Sequence, residues 1–196
     1  MRTVCKLRIL GGMAAAVFCL ISVGLPGVAM GQVDTIWIQD FESGQDAWSI
    51  TGGVWEVGVP TSGPNGTTSG TQCAATNLDG NYPYDANARL ISPPFEVPGA
   101  GENPRLRFYN WFSTNSGHGN CWVDISTDYG VSWTLVQGNW TGGGDGWGRG
   151  SVYLRGYAGD TVMVRFRFTS DGYSTGAGWY LDDVVLETGP YEDVTQ

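Results

Sequence analysis

The acidic residues of this 196-residue chain gather conspicuously at two places, Asp40 with Glu42 in WIQDFES and Asp182 with Asp183 in WYLDDVV. Carboxylates grouped in this way are ligands for hard divalent cations such as Ca²⁺, which take six to eight oxygens. Both groups lie on strand-like stretches, where alternation sends Asp182 and Asp183 to opposite faces and allows at most one of them into a buried site. The competing interpretation is that all four are solvated charges at strand ends.

A second set of residues suits sugars. Trp140 and Trp147 flank TGGGDG (141–146) and together would make a stacking platform for a sugar ring, unless the tryptophans tuck into the edge of the fold. Arg105, Arg107, Tyr109 and Trp111 alternate with Leu106, Phe108 and Asn110 along one stretch, and Arg165 and Arg167 alternate with Val164, Phe166 and Phe168 along another. The apolar sets face the core. If the two stretches share a sheet, Arg107, Arg165, Tyr109 and Trp111 form one ligand face for sugar hydroxyls or carboxylates. The alternative is cross-strand pairing of the arginines with Asp124, Asp183 and Glu187.

Catalytic chemistry finds little support. His118 is the single histidine, which excludes HExxH and every other multi-histidine centre, and it sits in a turn-like SGHGN stretch. STDYGVSW (126–133) matches the Asp-box pattern of secreted β-proteins, but its residue types explain a hairpin turn: Asp128 accepts nearby N–H groups, Gly130 takes positive φ, and Trp133 packs the returning strand against the core. Nineteen acids leave carboxylate pairs for glycoside hydrolysis open, since sequence spacing does not give separation in space. The sequence predicts no catalytic centre.

These groups must be positioned by strands. Short alternating runs separated by Gly, Asn, Asp and Pro predict strands at 35–40, 53–57, 72–77, 88–92, 104–112, 119–126, 132–137, 150–155, 161–169 and 178–187. About ten short strands with almost no helical pattern imply an all-β antiparallel sandwich of the jelly-roll class, in one domain over 32–188 with a short tail at 189–196.

The N-terminal segment reads as a signal peptide over 1–31: Arg2, Lys6 and Arg8 precede an apolar run from Ile9 to Val23, and GLPGVAMG (24–31) supplies the cleavage region. An uncleaved anchor is the alternative, and Phe18 before Cys19 argues against a lipobox. Removing 1–31 leaves 165 residues with seven arginines, no lysine and all 19 acids, a formal charge of −12. Such a chain is expected to be secreted, with no membrane span after cleavage and no nucleic-acid partner, because phosphate contacts need clustered Lys and Arg. Cys73 and Cys121 are the two cysteines left. They either pair, closing a loop that contributes roughly 4 kcal/mol, or remain buried thiols.

The order FESG (41–44), GVWEVGVP (53–60), GTQCAATNLDGNY (70–82), LISPPFEV (90–97), LRFYNWF (106–112), ISTDYGVSW (125–133), LRGYAGDTVMVRFRFTSDG (154–172) and GWYLDDVVL (178–186) resembles the MAM-like jelly-roll domain, found C-terminal to the catalytic domain of immune inhibitor A metallopeptidases and in other bacterial exoproteins. The resemblance spans roughly 37–187. It implies a non-catalytic accessory domain for adhesion or substrate binding, and it maps a structural Ca²⁺ onto Glu42 and Asp182, with Asp40 and Asp183 as lesser ligands. The expected partner is an extracellular glycan or protein. Adhesion between proteins of an envelope or matrix is the competing function.

Overall fold

The computed structural model describes residues 31–144 and 146–190. The signal peptide expected over 1–31, but for Gly31, and residues 191–196 of the expected tail lie outside the described residues. Within them the chain forms β1 (Asp34–Gln39), β2 (Ser49–Thr51), β3 (Glu56–Gly58), β4 (Cys73–Ala75), β5 (Asn87–Ile91), β6 (Phe95–Glu96), β7 (Arg105–Ser113), β8 (Gly119–Ser126), β9 (Thr134–Trp140), β10 (Gly148–Tyr153), β11 (Thr161–Ser170) and β12 (Gly178–Thr188). All pairings are antiparallel. One sheet runs β10-β7-β12-β4-β3, with β1 also on β12; the other runs β2-β5-β11-β8-β9, with β6 also on β11. The sandwich class is therefore as the sequence predicts. The prediction missed β2 and β6, which are three and two residues long and too short to show alternation.

The two sheets close on an aromatic interior. Trp179, fully buried, has ring neighbours Trp55 at 5.5 Å, Phe166 at 5.7 Å and Trp140 at 6.0 Å, and Phe166 also meets Phe108 and Trp48. Alternation on β7 and β11 is as expected: Leu106 and Phe108, and Val162, Val164, Phe166 and Phe168, all point inward. A smaller cluster lies on the opposite side of the first sheet, where Cys73, Ala75 and Tyr180 pack with Leu78, Trp111, Trp147 and Ala177.

Cys73 and Cys121 do not pair. Both are buried free thiols; Cys121, on β8 of the second sheet, faces the interior, whereas Cys73, on β4 of the first sheet, faces out into the smaller cluster. Burial, with Asp182 and Glu42 nearby, pushes the Cys73 thiol up to about 12, so it stays protonated.

The β8–β9 hairpin is a hydrogen-bonded turn. Ser132 donates its N–H (2.9 Å) and its hydroxyl (2.6 Å) to Asp128, Ser126 donates its hydroxyl to the same carboxylate (2.7 Å), and these bonds hold the Asp128 carboxyl down at about 2. Gly130 takes φ 88° and its carbonyl accepts the Trp133 indole N–H. Trp133 does not pack into the core as expected. Its ring lies on the outer face, under the Arg165 guanidinium at 4.4 Å.

Candidate functional site

The outer face of the first sheet gathers most of the residues singled out in the sequence. Arg107, Tyr109 and Trp111 project from it at alternate positions of β7, and β12 places Asp182 opposite Tyr109 and Tyr180 opposite Trp111. Arg165 lies elsewhere. It is on β11 in the other sheet, so the single Arg, Tyr and Trp surface expected from the sequence does not form. The arginines instead pair with acids on their own faces, Arg105 and Arg107 with Glu187 (2.6 and 2.9 Å) and Arg165 and Arg167 with Asp124 (2.7 and 2.9 Å). Asp183 takes no part in that pairing and lies instead at the loop described next.

The 61–72 loop covers this face, and its second half holds three carboxylates. Thr68 donates its N–H (2.8 Å) and Ser69 its N–H (3.2 Å) to Asp182 Oδ2, while the Thr68 hydroxyl lies 2.7 Å from Asp182 Oδ2 and 3.0 Å from Asp183 Oδ2. The Ser69 hydroxyl donates to Asp183 (2.8 Å). Thr71 and Gln72 donate their N–H groups to Glu42 Oε1 (2.8 and 2.6 Å). A side chain at position 70 would run into the Glu42 carboxylate, and Gly70 adopts φ 52°, which explains the glycine there.

Asp182 and Asp183 do not point to opposite faces as strand alternation predicts. A register shift between Asp182 and Val185 interrupts β12, and Asp183 takes the left-handed φ of 46°, which turns both carboxylates toward Thr68. A bulge is invisible to a period-two pattern. Positive φ at a non-glycine residue is a cost that functional sites commonly carry. Asp40 has a local role, accepting the Glu42 N–H (3.1 Å) in a turn where Phe41 also has positive φ.

The electrostatics of the three acids differ. Burial raises the Asp182 carboxyl above its ordinary value, opposed by the Thr68 and Ser69 bonds, and Asp183 adds to the rise. Glu42 is held below its ordinary value by the N–H groups of Gln72 and Thr71. The Thr68 hydroxyl has one proton and two carboxylate neighbours, so one of the two oxygens lacks a donor from it. The donor set is oxygen only, which fits a hard cation in kind. Among the described residues no three His, Cys, Asp or Glu side chains converge on one point, so a bound ion would need hydroxyls and main-chain carbonyls to complete its shell.

The first half of the same loop builds a cleft. Residues 63–67 face Gly144, Gly146 and Trp147 across about 400 Å³, with Trp111 also lining the cleft. Trp147 donates its indole N–H to the Gly66 carbonyl (3.0 Å), and Trp111 stands edge-on to Tyr180, their centroids 5.3 Å apart. Both tryptophans are half-buried. Trp140, expected to share the platform, instead ends β9 with its ring in the interior, 6.1 Å from Phe108. The partner that sequence reasoning supplied to Trp147 was wrong; Trp111, singled out on other grounds, takes its place. A further apolar cleft of about 300 Å³ opens at the β1 edge beside Trp37, Trp48 and Phe95.

His118 stands apart from this face, its Nδ1 2.7 Å from Asp171 at the exposed end of β8. No described helix is long and apolar enough to cross a membrane.

No family model matches the chain. It is 36% identical over 158 residues to Bacillopeptidase F of Bacillus subtilis (strain 168), an alignment covering 76% of this chain, and the chain spans about a tenth (10%) of the length of that protein. Among solved structures it is similar to the K1 cleaved adhesin domain of Lys-gingipain from Porphyromonas gingivalis W83, with a TM-score of 0.55 and 18% identity over 82% of this chain and 98% of that one. The K3 adhesin domain of the same protein gives a TM-score of 0.54 at 20% identity, covering 78% and 98%. TmCBM61, solved with β-1,4-galactotriose, gives 0.51 at 18%, covering 75% and 92%. These structures share the sandwich fold with this chain.

Proposed function

We propose that this chain is a secreted, non-catalytic binding module whose ligand is an extracellular carbohydrate, held in the cleft between residues 63–67 and Gly144, Gly146 and Trp147. The observation that carries this reading is the pairing of Trp111 and Trp147 in one open cleft. Two half-buried indoles supply apolar faces for a sugar ring, and the loop carbonyls and hydroxyls around them supply polar contacts. The solved relative that was crystallised with a galactotriose supports the class of ligand, and the acid-rich, lysine-free surface suits a secreted protein. The titratable groups that would draw attention in an enzyme have structural explanations: His118 is paired with Asp171, and Asp128 is engaged by its own turn.

The cleft reading is tested on a glycan array followed by titration of the best ligand. Trp147→Ala is expected to weaken binding by about 2 kcal/mol, some thirtyfold in Kd, with the melting temperature nearly unchanged. No retention of any glycan by the unaltered protein would sink the carbohydrate reading and leave protein adhesion, to which the likeness to adhesin domains then lends weight.

Calcium is the second part of the proposal. Asp182 and Asp183 would hold the ion, with the Thr68 hydroxyl and main-chain oxygens completing the shell and Glu42 adding charge nearby, and the ion's charge would offset the repulsion between the adjacent aspartates. An ion that binds the folded chain must stabilise it, by about 2.7 kcal/mol at a hundred times Kd. Adding millimolar Ca²⁺ to EDTA-treated protein is expected to raise Tm by about 5 °C or more, and Asp182→Asn to abolish the rise. An unchanged Tm in the unaltered protein would overturn the ion.

A further inference from the structure

The outer face of the second sheet carries a surplus of positive charge on an otherwise acidic chain. Arg167 on β11 lies directly opposite Arg89 on β5, and on its other side opposite Trp122 on β8; two positions along, Arg165 lies opposite Asp124. Asp124, almost fully buried, accepts Arg165 Nε (2.7 Å) and Arg167 Nε and Nη2 (2.9 and 3.3 Å). Burial alone would raise its carboxyl, but these guanidinium bonds bring it below the ordinary value, so it is ionised and saturated. Glu96, opposite Thr161, stands at the far end of β11.

The face therefore carries three guanidinium groups and one carboxylate, which two of them engage. Arg89 has no carboxylate partner among the described residues and bonds only the Asn87 carbonyl, at 3.1 Å. Like charges directly across a strand pair are destabilising, and Asp124 compensates Arg167 but does not reach Arg89. The arginines are also held in place: Arg165 lies over the Trp133 ring at 4.4 Å and Arg167 over Trp122 at 5.3 Å. Their side chains remain 16% and 23% exposed, and the terminal nitrogens of Arg165 donate to no described residue. The Trp122 indole N–H, beside Arg167, is buried and has no hydrogen-bond partner among the described residues.

We infer that this face is a second binding site, independent of the tryptophan cleft, and that it takes the carboxylates of an acidic, uronate-bearing polysaccharide. A planar guanidinium fork matches a carboxylate in bidentate geometry. The donors recur about 5 Å apart across the strands and about 7 Å apart along β11, so a polymer that repeats its carboxylate can engage more than one of them. The face offers guanidinium donors and one carboxylate, already saturated. That favours a ligand rich in oxygen acceptors, as a uronate polymer is along its whole length.

Affinity electrophoresis of the purified chain through polygalacturonate, its fully methyl-esterified form, dextran sulfate and polyglutamate tests the inference. Retention by polygalacturonate and not by the neutral ester is expected. Arg89→Gln should weaken that retention about tenfold at unchanged Tm, since Arg89 lies outside the Asp124 network, and Arg89→Lys should restore part of it. Trp147→Ala should leave it intact. Equal retention by the methyl ester, or no effect of Arg89→Gln, would overturn the site. Retention by polyglutamate as strong as by polygalacturonate would assign it to an acidic protein instead, and equal retention by dextran sulfate would reduce it to charge density; either result overturns the uronate.

Discussion

Replacing Trp179 by alanine is expected to lower the stability of the domain by about 4 kcal/mol, because a fully buried indole leaves a void that its neighbours cannot fill. The neighbours are other rings: Trp55, Trp140 and Phe166 all lie within 6.0 Å of it. Large planar groups packed at tilted and edge-on angles have few alternative arrangements, so collapse into the void is limited. For a domain of this size the loss corresponds to a fall in Tm of roughly 10 °C, read by calorimetry. Phe166 belongs to the second sheet and Trp179 to the first, so the substitution loosens the contact between sheets. A fall of less than about 1 kcal/mol would mean that the aromatic interior does not hold the sandwich together.

The second large effect is expected at Glu187. This carboxylate is wholly buried, with Arg105 Nε at 2.6 Å and Arg107 Nη2 at 2.9 Å. Arg105 in turn donates to the carbonyls of Gly189 and Pro190. Glu187→Ala leaves a buried guanidinium without its counter-charge, a change that costs about 3 kcal/mol or more. The joint change of Arg105→Met and Glu187→Leu removes the two most buried charges, leaving Arg107, 22% exposed, to turn to solvent, and should recover most of the loss, because apolar replacement of a buried ion pair is often neutral. Denaturant melts of the single and joint variants separate the two cases. If the single substitution is harmless, the pairing is incidental.

Much of this molecule is legible in its sequence because period two is a strong signal on long strands. β8 is read to the residue, and β7, β11 and β12 to within one or two residues at either end. Sheet membership was not legible. Nothing in the alternation of Arg105 to Trp111 and of Arg165 to Arg167 says whether they share a surface, and the strand order puts them in different sheets. Asp182 and Asp183 misled for a sharper reason: the rule applied to them was sound, but the bulge at Asp183 suspends it. Trp140 and Trp147 looked equivalent, separated by a flexible run. Only the register of β9 on β8, with Trp140 opposite Cys121, fixes one ring inside. The loop that unites the carboxylates with the tryptophan cleft joins residues about thirty and more than a hundred positions apart, which no local pattern can reveal.

The pairing of Asp34 with Thr188 has a mechanical consequence. Both ends of the folded unit emerge at one corner, on two neighbouring antiparallel strands. If the unit is tethered at both ends, a pulling force opens the β1–β12 ladder like a zipper, one hydrogen bond after another, instead of shearing all of them at once. Yielding should then begin at low force, with β1 peeling away first while the cleft on the far part of β12 is still intact.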